Sequence, residues 1–498
     1  MTNWITNIAF QKRYFIPLFL LAINFILKIW HLDFQSIAND EPFSIFFAQL
    51  DVHSIISELS SGNNPPFFEI MLHFWLKCFG ISAFSVRFLP FLFSVFTVFI
   101  IYKIANTFFS FRVAIFSSLI YTFSNYHQYF AHEARVYSFF TMMTCISMFA
   151  FLKILNNQGV RKYWILLLFS NLLLSYSHYF GLFIPFIQGF CLFFFKELRL
   201  MHFKNFIISN ALFVLFYIPI IPILIQRFLA STGGTWVKPA SFEDFYTMLW
   251  RFSNVPVLTV LFIFILLAAF LKWIFSRTRN VLYINSKVLL VWFILPYLSM
   301  FFVSLKYLPS PIPIFLDRYL VFISIAFYLC VSIALSYIIE KVKYGWVFYL
   351  LPTFVLLGSF QMNIDNKRNI RPVISRIAKL KTRNTKLVVC PENYNLNLAY
   401  YLMYTKFYPS GKNYKDLLSS DLAKKGVFAI SNKYGLSNLD IEQSEKLIYL
   451  DVASEFSSPG NEVFDSLENY FNSYKLYEFP DIFKLYVFEK KGIKNRRN

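Results

Sequence analysis

Apolar residues in this chain come in long unbroken runs, and several reach the roughly 18 residues that a helix needs to cross a bilayer. The stretch 256–275, PVLTVLFIFILLAAFLKWIF, carries only Lys272 as a charge. Backbone amides in such a stretch have no water to bond, so the chain must satisfy them within itself as helix. Following the runs predicts about eleven spans, near 14–32, 83–108, 113–131, 134–154, 163–177, 179–195, 205–226, 253–275, 286–305, 317–338 and 344–361. Composition agrees: 57% hydrophobic and 15% charged residues, with mean hydropathy +0.52, give more apolar surface than a water-soluble core could hide. Phe is abundant at 65 residues, but alongside frequent Ile, Asn and Lys it reads as codon bias rather than as an aromatic function.

A net charge of +20 would point a soluble protein toward nucleic acid. Here the basic residues sit mostly in short loops, where they set topology, and no nucleic-acid partner is expected. The loops assigned to the cytoplasm carry Lys103 and Arg112, Arg161 and Lys162, Lys196 with Arg199 and Lys204, Lys272 with Arg277, Arg279 and Lys287, and Lys341 with Lys343. Lys12 and Arg13 precede a first apolar stretch that is long enough to span and lacks a cleavage site. The N-terminus is therefore expected inside, and an odd number of spans puts the C-terminus outside. The five cysteines are isolated, without metal or disulfide spacing.

The expected architecture is an all-α polytopic transmembrane bundle over residues 1–361 with a small α/β extracytoplasmic domain over 362–498. A large first outer loop, 33–82, carries juxtamembrane helices near 41–50 and 66–79 that would lie along the membrane surface. In the terminal segment, 385–390 (TKLVVC) and 426–431 (GVFAIS) read as short buried strands, and 396–404 as a helix.

On this topology the ionisable residues beside apolar spans gather at the outer ends. Asp40 and Glu41 fall in the first outer loop; His132, Glu133, Arg135 and Tyr137 fall where the third span turns into the fourth. His178 and Tyr179 mark the next outer turn, Trp236 and Lys238 a later loop, and Asp317, Arg318 and Tyr319 open the tenth span. Ionisable groups at membrane depth are costly and point to function. Acidic residues beside basic ones suit group transfer from an anionic leaving group: a carboxylate takes the acceptor's proton, and Arg or Lys stabilises the departing phosphate. Each feature also has a plain structural reading, as a helix start, an interfacial ion pair, a satisfied turn histidine or a snorkelling anchor. Their shared sidedness favours the functional one.

The order of motifs resembles the polytopic glycosyltransferases of the GT-C fold, in particular the dolichyl-phosphate-mannose-protein mannosyltransferase and aminoarabinose-transferase-like group. The resemblance rests on Asp40-Glu41, then 62–80 (GNNPPFFEIMLHFWLKCFG) leading into 82–95 (SAFSVRFLPFLFSV), then 132–138 (HEARVYS), 177–183 (SHYFGLF) and 317–320 (DRYL). It implies transfer of a sugar from a polyprenyl-phosphate carrier to a protein, lipid or glycan acceptor at the outer leaflet of a bacterial plasma membrane, with inversion at the sugar carbon. It implies Asp40 as general base, Glu41 and Glu133 as further acidic catalytic positions, and Arg135 and Arg318 at the lipid phosphate. Tyr137, His178, Tyr179, Lys238 and Tyr319 complete the substrate-binding set. No metal or other cofactor is expected to be required. The sequence departs from the family pattern at Asn64, where a His is frequent before the paired prolines, and at Asp317, where a Pro usually precedes the Arg-Tyr pair. Two other classes fit a polytopic chain. A flippase or transporter would place polar residues at mid-span or show internal repeats, and an O-antigen polymerase or ligase would carry a very large outer loop late in the chain.

Overall fold

In the computed structural model, described for residues 2–60, 65–156, 161–231, 237–276, 284–403, 414–437, 439–441, 444–453, 459–471 and 473–490, each apolar run is helical over most of its length. Gly62, Asn64 and Trp236 lie outside the described residues. Among the described residues, six helices are long and apolar enough to cross a membrane: Ala83–Phe108, Tyr137–Leu155, His202–Arg227, Pro256–Phe275, Ile284–Val303 and Val321–Ile338. Shorter apolar helices cover Phe15–Ile29, Phe111–Thr122, Tyr179–Phe194 and Gly345–Ser359, and Arg161–Ser177 is helical as well. By packing the chain divides into two compact units.

The first unit comprises Met1–Leu32, Ile56–Phe68 and Arg87–Ile364. Its centre is built on Tyr137–Leu155 and Val321–Ile338, each 78% buried, whereas Pro256–Phe275 is only 22% buried and presents Val257 and Phe264 outward. Apolar faces left open on outer helices are what a lipid-solvated protein needs. Buried polar side chains join the helices: Ser147, Asn171 and Gln188 close a triangle of hydrogen bonds of 2.5, 2.9 and 2.8 Å.

Several predicted spans differ in detail, two of them next to candidate site residues. The run near 113–131 is two helices, Phe111–Thr122 and Asn125–Ala131, because Ser124 is extended and its Oγ caps the second by accepting from the His127 amide at 3.3 Å. The run near 317–338 enters its helix only at Val321, since Asp317–Tyr319 forms a separate 3-10 turn.

The second unit gathers three stretches far apart in sequence: Asp33–Ile55, Glu69–Val86 and Asp365–Asn498. It holds a five-stranded sheet of β1 (Lys386–Cys390), β2 (Val427–Ala429), β3 (Lys446–Val452), β4 (Ser473–Glu478) and β5 (Phe483–Glu489), in the order β2-β1-β3-β5-β4. β1 runs parallel to β2 and β3, while β5 pairs antiparallel with β3 and β4. β1 and β3 are nearly continuous apolar strands buried on both faces, and β4 is an edge strand with exposed side chains. The core beneath the sheet includes Val388, Leu447, Tyr449, Val463, Leu467 and Phe488.

The two short helices read from the first loop are present, Glu41–Phe47 and Phe67–Phe79. The first was expected to lie as an amphipathic element on a membrane surface. Instead it is buried on nearly every side, with Glu41, Ser44, Ile45, Phe46 and Phe47 all inaccessible, and Asn395–Met403 packs against it. Its polar residues are satisfied inside the unit, as where Ser44 donates to Glu69 at 2.7 Å.

Candidate functional site

The predicted site residues divide between the units, with Asp40 and Glu41 in the second and the rest in the first. In the second unit the chain reaches Asp40 through Asn39, whose φ of +55° is a left-handed conformation that Asn tolerates. Asp40 is the half-buried residue preceding the helix Glu41–Phe47. Glu41 opens that helix, with Pro42 behind it in the favoured first turn, and a carboxylate there also suits the helix dipole. Its Oε1 lies 3.0 Å from Lys367 Nζ, and both side chains are fully buried. Lys367 belongs to a strap that runs along the chain leading to Asp40. Gln35 Oε1 accepts from the Lys367 amide at 3.0 Å, and Ser36 Oγ donates to Asn369 at 2.8 Å. Arg371 donates to the carbonyls of Asp33, Phe34 and Gln35 at 2.8, 2.9 and 3.2 Å. Tyr401 closes the other side, accepting from the Ile37 amide at 2.8 Å.

In the first unit the segment between the helices Asn125–Ala131 and Tyr137–Leu155 buries His132, Glu133 and Arg135 together. His132 is held structurally, its Nε2 2.6 Å from the Lys28 carbonyl oxygen and within hydrogen-bond distance of Gln128. Tyr137 begins the next helix, and the Arg318 guanidinium lies 6.0 Å from its ring centre. His178 lies in the turn after the helix Arg161–Ser177, stacked on Phe140 at 4.9 Å, with the rings of Tyr319 at 5.9 Å and Tyr137 at 6.3 Å. Phe180 lies 4.9 Å from Tyr319 and completes the aromatic group.

The Phe180 amide donates to His178 Nδ1 at 3.2 Å, which places the ring proton on Nε2. That buried Nε2 has no hydrogen-bond partner among the described residues. Burial, and then the neighbouring charge of Arg135, push the imidazole down to about 3, so the ring is neutral at ordinary pH. The arrangement is therefore two cations, Arg135 and Arg318, with tyrosines, one neutral N–H donor and the Glu133 carboxylate in the same buried segment as Arg135. Such a group can hold an oxyanion beside a ring-shaped ligand face.

Tyr137, His178, Arg318 and Tyr319 come together here, with Arg135 within electrostatic reach of His178. Tyr179 lies near Arg227 and Tyr217 instead. Lys238 is exposed, two residues before Ala240, which bridges to Leu305. Asp317, where the family pattern usually has Pro, forms an ion pair with Arg251, and its Oδ1 accepts from the Arg318 amide at 2.7 Å. It thus fixes the turn that carries Arg318 and Tyr319.

Sequence reading missed two buried lysines. Lys367 sits in a polar stretch with no periodicity to mark it as buried. Lys28, inside an apolar helix, bonds Ser94 Oγ at 2.9 Å and lies 4.1 Å from the centre of the Tyr121 ring. Its signal was available: a charge within an apolar run demands a partner.

Known proteins resemble this chain in part of its sequence and in its fold. Residues 63–225, which include Glu133, Arg135, Tyr137, His178 and Tyr179, match the family model for dolichyl-phosphate-mannose-protein mannosyltransferase. Among solved structures, ArnT from Cupriavidus metallidurans bound to undecaprenyl phosphate aligns with a TM-score of 0.58 at 11% identity, over 94% of this chain and 97% of that one. Its apo form gives 0.54 at 12% identity over the same shares. The archaeal oligosaccharyltransferase AglB from Archaeoglobus fulgidus, in complex with an inhibitory peptide and a dolichol-phosphate, gives 0.52 at 13% identity, over 98% of this chain and 75% of that one. No curated protein sequence matches the chain. The fold is that of the GT-C membrane glycosyltransferases.

Proposed function

We propose that this GT-C chain, with its mannosyltransferase-family region over residues 63–225, transfers a glycosyl group from a polyprenyl-phosphate-linked sugar to an acceptor on the outer face of the membrane. The acceptor is a protein, lipid or glycan bearing a hydroxyl or amine. Asp40 removes the acceptor's proton as its oxygen or nitrogen attacks the sugar carbon. The bond from that carbon to the phosphate oxygen breaks with inversion, and polyprenyl phosphate leaves. Arg135 and Arg318 meet the charge developing on the phosphate. Tyr137, His178 and Tyr319 line the same end; Tyr179 and Lys238 are secondary contacts, and Glu133 is a second acid near a sugar. The step needs no metal, since proton removal and charge stabilisation are both supplied by side chains.

The observation that carries this reading is the family match across the segment that holds Glu133, Arg135, Tyr137 and His178, on a GT-C fold. The solved relatives named for their lipid phosphates, undecaprenyl phosphate in ArnT and dolichol-phosphate in AglB, support the donor class. The basic loops support a cytoplasmic N-terminus, with residues 362–498 outside.

The test is incubation of the purified protein in detergent with a panel of radiolabelled polyprenyl-phosphate sugars and acceptor extract. Release of polyprenyl phosphate is followed for wild type and Asp40→Asn in parallel. Release by the wild type and none by Asp40→Asn, with donor binding retained, is expected. No release from any donor would overturn the transferase reading; full activity in Asp40→Asn would remove Asp40 from the base role.

A further inference from the structure

We infer that Lys367 is a positioning residue for the transfer reaction, and that it acts through Glu41 to fix Asp40. The inference rests on the proposed function, because it takes Asp40 as the base. Glu41 directly follows Asp40, and its carboxylate is engaged by Lys367 Nζ at 3.0 Å with both side chains fully buried. A carboxylate so enclosed and so paired is poorly placed to collect a proton from an incoming acceptor. Asp40, one residue earlier, stays half-buried at the start of the helix. The two acids of the Asp-Glu pair thus have different duties: Glu41 anchors and Asp40 reacts.

Lys367 is itself held in place. Its amide donates to Gln35, Ser36 is tied to Asn369, and Arg371 grips three successive carbonyls of residues 33–35. The strap 365–371 therefore lies along the stretch that leads into Asp40, and the Glu41–Lys367 pair fastens it again directly past the reacting acid. Asn39, in a left-handed conformation, turns the chain immediately ahead of Asp40, so the carboxylate's direction depends on what holds the residues on either side. On this account the C-terminal segment takes part in the reaction. It supplies part of the frame that aims the base.

The experiment compares Lys367→Met, Glu41→Gln and the exchanged pair Glu41→Lys/Lys367→Glu with wild type and Asp40→Asn, in detergent, scoring kcat and donor KM separately. Folding is checked by the elution profile and thermal inactivation of each variant. Positioning predicts that each single variant loses at least about thirtyfold in kcat with KM changed by less than about threefold, and that the exchanged pair recovers most of that loss. A merely structural pair would move stability and leave the kcat of the folded fraction intact, which would overturn the inference. A folded exchanged pair as inactive as Glu41→Gln would also overturn it, by giving Glu41 a chemical duty of its own. Where Lys367→Met or the exchanged pair does not fold, Lys367→Gln, which leaves Glu41 in place, decides: unchanged kcat refutes the inference, and reduced kcat at unchanged KM supports it. Full activity in Asp40→Asn would instead mark failure of the base assignment, whatever the pair does.

Discussion

The two units each hold an ion pair directly beside a candidate site residue, and the pairs differ in burial. Glu41–Lys367 adjoins Asp40 and is wholly removed from solvent. Arg251–Asp317 adjoins Arg318, and its arginine is 53% exposed. Breaking a buried pair leaves an uncompensated charge in a poorly solvated interior, whereas water and salt compensate much of the loss at an exposed one. The same interaction therefore makes a rigid anchor in one place and an adjustable one in the other. A base that must point at an attacking atom suits the first. A phosphate contact that must admit and release a lipid-linked donor suits the second.

The largest effect expected is at the buried pair. Lys367→Met should destabilise the folded protein by about 3–5 kcal/mol, the usual consequence of stranding one member of a buried pair. Glu41→Leu/Lys367→Met, which removes both charges, should regain a good part of that stability without regaining activity. Thermal inactivation in detergent measures both. Equal loss in the single and double variants would mean that the side chains matter for packing and not as a charge pair.

At the exposed pair the neighbour matters more than the pair. Arg318→Met removes a cation assigned to the leaving phosphate, and should reduce kcat/KM by about a hundredfold, in keeping with loss of a charge-assisted contact made in the transition state. Arg318→Lys should recover only part, since an ammonium lacks the planar fork of donors. Arg251→Ala is expected to be milder, below about 1 kcal/mol in stability and within a few-fold in donor KM. A loss from Arg251→Ala as large as that from Arg318→Met would show that the exposed pair is as rigid as the buried one.

The difference between the units also explains how much could be read in advance. The helices of the first unit were legible because lipid imposes length and apolarity on each span separately, so a local window carries the signal. The break at Ser124 was harder to see: its Ser-Asn pair sits inside an apolar run, and only the capping hydrogen bond reveals a helix start. In the second unit, β1 and β2 and the helix at 395–403 were legible from short apolar runs. β5 (FKLYVFE) carries a short apolar run of the same kind, while β4 (SYKLYE) is an exposed edge strand without a clear burial pattern. The attachment of Lys367 to Glu41 was not legible at all, because nothing local in either stretch names the other. Among the site residues, the grouping of Tyr137, His178, Arg318 and Tyr319 followed from their common position at span ends. The different surroundings of Tyr179 follow from the 3-10 turn that begins at that residue, a local geometry that span-level reading does not resolve.

His178 offers the subtlest test of how charge is managed beside the phosphate-binding candidates. It lies next to a cation, and burial with the Arg135 charge holds its pKa near 3, below the ordinary 6.5. The folded protein then refuses a proton that the unfolded chain accepts. Its contribution to stability is present above about pH 6.5 and is lost as pH falls toward 3. Across the assay range of about pH 5 to 8 the ring stays a neutral donor through Nε2, so His178 should contribute no limb to the pH profile of kcat. His178→Gln should lower activity modestly at every pH while leaving the shape of the profile alone, and should soften the fall in thermal stability below pH 6.5. An acid limb present in the wild type and missing in His178→Gln would mean that the imidazole titrates during turnover. The cluster would then be a proton-handling site and not a fixed cradle for phosphate.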